Sequence, residues 1–155
     1  MDCPIDGVII QELKQYNDER GWLIELFRSD ELAPELFPVM SYVSMTLPGV
    51  ARGPHEHVDQ ADLFCFLGPS TFRLYLWDNR EGSSVYRKRF SFDFGQNQPA
   101  TVVVPKGVVH AYKNIGQVEG IVYNAPNRLY AGEKRADPVD EIRHEDKIDS
   151  EFKLN

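Results

Sequence analysis

Three of the four histidines in this sequence are spaced in a way that could support chemistry. His55 and His57 are separated by one residue, and His110 follows much later in the chain. Residues two apart in a β-strand point to the same side, so the first two imidazoles can face one cavity, where a later strand can add the third. The spacing therefore predicts a polar site built around these three histidines.

Two interpretations of this site stay open. Asp62 lies five residues after His57, and with His55, His57 and His110 it would complete a nitrogen and oxygen ligand set suited to zinc, iron, manganese or nickel. Alternatively, the histidines are neutral hydrogen-bonding groups that line a polar pocket for a ligand. The first interpretation predicts a bound divalent metal, and the second predicts no cofactor.

The elements that must position these side chains are short β-strands. Alternation places Phe72, Leu74 and Leu76 on one face, and about eight similar runs follow one another at roughly ten-residue spacing. Residues 29–37 indicate a short helical turn, and the polar tail from residue 134 onward is predicted either to pack as a short helix or to lie on a partner subunit. The pattern predicts an all-β sandwich, jelly roll or barrel, whose core includes five large aromatic side chains: Trp22, Phe64, Phe66, Phe72 and Phe90.

Composition narrows the class of protein. A length of 155 residues suits one domain over residues 1–155, and residues 134–155 read as a polar C-terminal tail. The net charge of −7 argues against a nucleic-acid partner, and the chain has no apolar run long enough for a membrane span. Cys3 and Cys65 are poorly placed for a disulfide, which favours a cytoplasmic location.

Five blocks of the sequence carry a resemblance to a known family. They occur in the family's order and together resemble the dTDP-4-dehydrorhamnose 3,5-epimerase branch of the cupin superfamily. The blocks are residues 18–28, residues 49–55, residues 77–80 with Ser83, residues 104–110, and a late series of Tyr123, Tyr130 and Glu133.

The resemblance implies a fold and an activity. The fold would be a cupin double-stranded β-helix, a jelly-roll barrel with short helical turns. The activity would be that of an isomerase, an epimerase that abstracts a proton next to the ketone of a nucleotide-linked 4-keto sugar. It also implies a homodimer in which strands of residues 1–30 are exchanged between subunits.

The resemblance also implies roles for individual residues. His55 would be the catalytic base and Tyr123 the acid, a pairing that their ordinary pKa values permit. Substrate contacts would come from seven residues: Arg20 and Arg52 at the diphosphate, Tyr130 stacked on the nucleotide base, Glu25 and His110 at nucleotide or sugar, and Gln60 and Asp78 elsewhere in the pocket.

Two positions depart from the family pattern. His57 stands where the family has glutamine, and Asp62 stands where it has a lysine. A carboxylate would repel the enolate oxygen that a lysine stabilises, whereas a metal could stabilise it as a Lewis acid, although His55 could not be both ligand and base. These changes keep two alternatives open: a metal-dependent cupin isomerase or oxygenase acting on a small polar substrate, and a non-catalytic sugar-binding cupin.

Overall fold

The computed structural model describes residues 1–154, and within them the chain forms twelve β-strands and two short 3₁₀ turns, at Pro34–Leu36 and Glu133–Arg135. None of the helical segments in these residues is long and apolar enough to cross a membrane. The strands are β1 Ile9–Glu12, β2 Gln15–Asp18, β3 Gly21–Ile24, β4 Tyr42–Thr46, β5 Ala51–Glu56, β6 Asp62–Gly68, β7 Thr71–Asp78, β8 Arg89–Gly95, β9 Ala100–Val104, β10 Val108–Asn114, β11 Gly120–Asn124 and β12 Ile142–Arg143.

Two five-stranded antiparallel sheets face each other and enclose the core. Their strand orders are β1-β9-β6-β11-β4 and β12-β5-β10-β7-β8. Phe66, Phe72 and Leu74 are completely buried between the sheets, and Phe64 is nearly so. The alternation of large apolar side chains therefore confirms the all-β jelly-roll prediction, with one side of each strand turned to the barrel interior.

The N-terminal hairpin stands apart from both sheets. Strands β2 and β3 pair only with each other within the described chain. Trp22 is consequently 58% exposed, so its predicted place in the core is wrong. Strand β1 pairs with β9 of its own chain, and the exchange of residues 1–30 with a second chain stays a prediction.

The C-terminal segment folds back onto the second sheet. Its strand β12 pairs with β5, and Phe152 packs edge-on against Trp77 on the outer face of β7. His144 donates to Glu56, with 2.8 Å between Nε2 and Oε1. The polar tail predicted over residues 134–155 is therefore part of the barrel wall, except for Asn155, which lies outside the described residues.

Candidate active site

Adjacent strands bring the three histidines together. His55 on β5 and His110 on β10 are direct partners across the sheet, and their rings meet edge to face with centroids 4.4 Å apart. His57, just beyond β5, places its ring 5.6 Å from that of His110. One nitrogen of each imidazole lies within 4.8 Å of the others, which confirms the convergence predicted from the spacing.

Gly53 makes the close approach of β5 to β10 possible. Its φ is +80°, and a Cβ atom at this position would lie 2.6 Å from the carbonyl oxygen of His110. Any side chain would therefore push the two strands apart as well as strain the backbone. Glycine here keeps His55 against His110.

The fourth member of the cluster comes from the opposite sheet. Asp62 opens β6, and its carboxylate is almost completely buried. Its Oδ2 lies 2.9 Å from His57 Nε2 and 3.3 Å from His110 Nε2. Its Oδ1 accepts hydrogen bonds of 3.0 Å from both Gln60 Nε2 and Asn124 Nδ2, which fix the direction of Oδ2.

The cluster shifts the pKa values of its members. Burial, followed by the neighbouring His110 and His57, lowers the pKa of His55 to about 2, so its imidazole is neutral at physiological pH. Burial also opposes the charged form of His57, but contact with Asp62 and with the Asp140 carbonyl outweighs it and raises the pKa of His57. Asp62 is buried too, yet the two histidines hold its pKa well below the ordinary value.

The cluster lies at the bottom of a large cavity. The cavity has a volume of about 1200 Å³, more than the usual range of small-molecule sites. His55 and His57 line it directly, while His110 and Asp62 are buried behind them. A ligand larger than a simple metabolite therefore fits, with its reacting part against the imidazoles.

Several predicted substrate contacts lie in this cavity. Arg52, Gln60 and Tyr130 line its wall. The Arg52 guanidinium donates to Thr46 Oγ1 and the carbonyl of Met45, and within residues 1–154 it makes no ion pair. Its positive charge is therefore available to a bound anion.

Three predicted substrate-binding residues lie outside this cavity in the single chain. Arg20 is 85% exposed at the hairpin turn beside Asp18, and Glu25 lies near Arg28 on the outer surface. Asp78 is buried in an ion pair with Arg80, so its carboxylate stabilises the end of β7 and does not contact this cavity.

The predicted acid is the most important correction. Tyr123 packs on the outer face of the first sheet with an apolar cluster that includes Leu63 and Cys65. Its neighbours on β11, Val122 and Asn124, point into the barrel instead. Because side chains alternate along a strand, Tyr123 cannot reach the histidine cavity.

Two residues that were not among the predicted site residues lie at functional positions. Tyr42 lines the cavity, and its hydroxyl accepts a 2.6 Å hydrogen bond from Asn124. Burial, followed by the charge of Asp62, raises the pKa of Tyr42 to about 12. Glu141 places Oε1 4.0 Å from Nδ1 of His55. Its position next to β12 could not be found from motif spacing, because the fold of the tail decides it.

Comparisons with known proteins agree with this arrangement. The sequence profile of the family described as dTDP-4-dehydrorhamnose 3,5-epimerase matches residues 2–147. The chain is 38% identical over 128 residues to the probable low-salt glycan biosynthesis epimerase Agl13 of Haloferax volcanii, covering 81% of each chain. It is 35% identical over 113 residues to the spore coat polysaccharide biosynthesis protein SpsL of Bacillus subtilis, covering 73% of this chain and 74% of that one.

A solved structure supports the fold. The crystal structure of dTDP-6-deoxy-D-glucose-3,5-epimerase RmlC from Legionella pneumophila, in complex with dTDP-4-keto-L-rhamnose, superposes with a TM-score of 0.77 at 22% identity. The match covers 92% of this chain and 75% of that chain. From its family profile, its relatives and its cupin barrel, this chain belongs to the dTDP-4-dehydrorhamnose 3,5-epimerase family and is an isomerase of the sugar-epimerase type.

Proposed function

We propose that this protein epimerises a carbon atom next to the ketone of a dTDP-linked 4-keto sugar, with His55 as the base and Tyr42 as the acid. The observation that carries the proposal is the neutral imidazole of His55 on the cavity floor, close to the carboxylate of Glu141. Membership of the family favours this function over an oxygenase or a non-catalytic sugar-binding protein.

His55 can accept a proton because its imidazole is uncharged before the reaction. Its Nδ1 faces Glu141, which leaves Nε2 for the substrate C–H bond. Because the pKa of His55 is lowered to about 2, the imidazolium needs a stabilising charge once it forms. The carboxylate of Glu141, 4.0 Å from Nδ1 of His55, can stabilise that charge, and it also pairs with Arg143 at 2.8 Å. Glu141 is therefore a positioning and charge-balancing residue.

The hydrogen bonding and the pKa of the Tyr42 hydroxyl suit it to act as the acid. Its oxygen accepts a hydrogen bond from Asn124, so the phenolic O–H is free to donate toward the cavity. With a pKa of about 12, the phenol stays protonated until the reaction needs its proton. In the reaction, His55 takes the proton, the C–H electron pair forms the C=C bond of an enolate, and the carbonyl π pair moves to the ketone oxygen. Tyr42 then protonates the same carbon from the opposite face, and the ketone re-forms.

The cavity also offers contacts for the nucleotide. Arg52 carries a charge that no carboxylate of the described chain neutralises, which suits a diphosphate. Tyr130 is 52% exposed on the cavity wall, where its ring can stack on a nucleotide base.

The Haloferax and Bacillus relatives are named for glycan and polysaccharide biosynthesis, and we extend that role to this chain. The free thiols of Cys3 and Cys65 are consistent with a reducing cytoplasm.

We expect a homodimer, in which a second copy of the chain would cover apolar side chains that are exposed on the hairpin and on strand β4. The hairpin exposes Trp22 and Leu23, and the edge strand β4 exposes Val43 and Met45. Apolar side chains on an unpaired edge favour association. In a dimer, the exposed Arg20 of one hairpin could reach the partner's cavity. Sedimentation that shows a monomer at micromolar concentration would contradict this expectation.

Deuterium exchange tests the reaction directly. The protein is mixed with a dTDP-linked 4-keto sugar in heavy water, and incorporation at the carbons next to the ketone is followed by NMR. We expect incorporation with the unmodified protein and its loss with His55→Asn. Asp93→Asn, which affects only the exposed ion pair with Arg73, serves as the matched control and should incorporate normally. An unmodified protein that incorporates no deuterium would refute the proposal.

A further inference from the structure

Three electron-pair donors converge at one point in the barrel. Oδ2 of Asp62 lies 2.9 Å from Nε2 of His57 and 3.3 Å from Nε2 of His110, and one nitrogen of each of these two rings lies within 4.8 Å of the other. All three residues are at least nine-tenths buried. Oδ2 of Asp62 and Nε2 of His110 have no directed hydrogen bond among the described residues. Buried polar atoms without a partner need an explanation, since leaving them unpaired is costly.

The backbone determines which imidazole nitrogens carry protons. Nδ1 of His110 lies 3.0 Å from the carbonyl oxygen of Val108, and Nδ1 of His57 contacts the carbonyl oxygen of Asp140. A carbonyl oxygen can only accept, so Nδ1 must donate in both rings. In neutral imidazoles both Nε2 atoms then present a lone pair; that of His57 lies 3.3 Å from the amide nitrogen of Gln60, which can donate to it, whereas that of His110 has no donor among the described residues.

One extra proton does not resolve this arrangement. A proton on His57 would satisfy its contact with Asp62 but would leave the lone pair of His110 facing the carboxylate. A divalent cation at the centre would satisfy all three atoms at once. Imidazole nitrogen and carboxylate oxygen bind zinc at about 2.0–2.2 Å, which places neighbouring ligand atoms about 3.0–3.4 Å apart. The observed separation of 3.3 Å falls within that range, and the separation of 2.9 Å is slightly shorter.

Neighbouring groups hold the three side chains in fixed orientations, as is usual around metal ligands. The carbonyls of Val108 and Asp140 orient the two rings, and Gln60 and Asn124 orient the carboxylate. Outer contacts of this kind are what hold metal ligands in position. His57 also lines the cavity, which gives an ion a path from solvent.

We infer that His57, His110 and Asp62 bind a divalent transition metal, with His55 beside the ion and free to act on substrate. Two imidazoles and one carboxylate suit iron, manganese, cobalt or zinc. The inference deepens the proposed function, on which its catalytic meaning rests, because the ion would supply the positive charge that Asp62 in place of lysine removes. The binding site itself stands on the geometry alone.

Titration with cobalt tests the site without reference to turnover. The full-length protein is stripped with a chelator and titrated with Co²⁺, and d–d absorbance, elemental analysis and melting temperature are recorded. We expect about one ion per chain and a higher melting temperature, as for a ligand that binds only the folded state. An absence of both bound ion and absorbance would overturn the inference.

Matched variants test the ligand set. Asp62→Asn keeps the shape but removes the charge, and it should weaken Co²⁺ binding at least about tenfold. Asp59→Asn changes a carboxylate on the cavity wall that pairs with Arg128, and it should bind normally. His55→Asn should keep its ion. Unchanged binding in Asp62→Asn, equal losses in both aspartate variants, or loss in His55→Asn would each overturn the ligand assignment.

The two proposals can fail separately. Cobalt binding without deuterium exchange would retain the metal site and contradict the epimerase function. Full exchange by protein that has no measurable metal affinity would retain the epimerase function and contradict the metal site.

Discussion

Replacing Tyr42 by phenylalanine removes one hydroxyl from the cavity and tests the assignment of the acid. The lost bond is the 2.6 Å contact with Asn124, whose amide still donates to Asp62. Because Asn124 keeps a partner, the free energy of unfolding should fall by only about 1 kcal/mol. For a chain of this length, the melting temperature should fall by about 2–4 °C. The variant should therefore fold and can be assayed.

The activity of this variant should separate two steps. Without the phenol, protonation from the opposite face should slow by about 10²–10⁴-fold. His55 can still remove the substrate proton and return solvent deuterium to the original face. NMR in heavy water should therefore show exchange at the carbon next to the ketone with little inversion.

Tyr123→Phe is the matched control, because Tyr123 packs on the outer face of the barrel. It should exchange and invert like the unmodified protein. If Tyr42→Phe inverts at the unmodified rate, or if Tyr123→Phe loses inversion, the assignment of the acid from strand direction is wrong.

Three further changes test other contacts. Glu141→Gln removes the charge beside His55, so kcat should fall roughly 10²-fold with little change in KM, measured by steady-state kinetics; an unchanged kcat would contradict the charge-balancing role. Arg52→Ala should raise KM for the dTDP sugar roughly tenfold or more and leave kcat nearly unchanged, since it removes only binding; a selective fall in kcat would contradict this. Asp140 is partly buried, but hydrogen bonds from three backbone amides, at 2.8, 2.8 and 2.9 Å, lower its pKa. A lowered pKa stabilises the fold above the unfolded value of about 3.9 and loses that effect as the pH falls through the folded value. Asp140→Asn should therefore reduce the free energy of unfolding by about 1–2 kcal/mol at pH 7 and much less at pH 3 in urea titrations; an equal loss at both pH values would refute this origin.

The fold could be predicted because its signal is local. Alternation along β7 placed Phe72, Leu74 and Leu76 inside, and all three are fully buried. The convergence of His55, His57 and His110 was equally accessible, since residues two apart share one side of a strand.

The direction of Tyr123 could not be predicted in the same way. The motif match placed Tyr123 in the sequence but did not show which face of β11 its side chain would occupy. The inward direction of Val122 and Asn124, which places Tyr123 on the outer face, depends on how β11 pairs with its neighbours. Glu141 was out of reach for another reason, because its place depends on how the tail returns to β5.

That return of the tail has a consequence for how activity is lost. β12 has only two residues, and they pair with Glu56 and His55 at the edge of the second sheet. Short edge elements open at lower free energy than the core strands of a barrel. Mild denaturant should therefore detach Glu141 from the base while the barrel remains folded. Loss of activity would then occur at a lower denaturant concentration than the loss of circular dichroism. Amide exchange would be fastest in the tail. The stability of the tail, and not that of the barrel, would therefore set the conditions under which the enzyme is active.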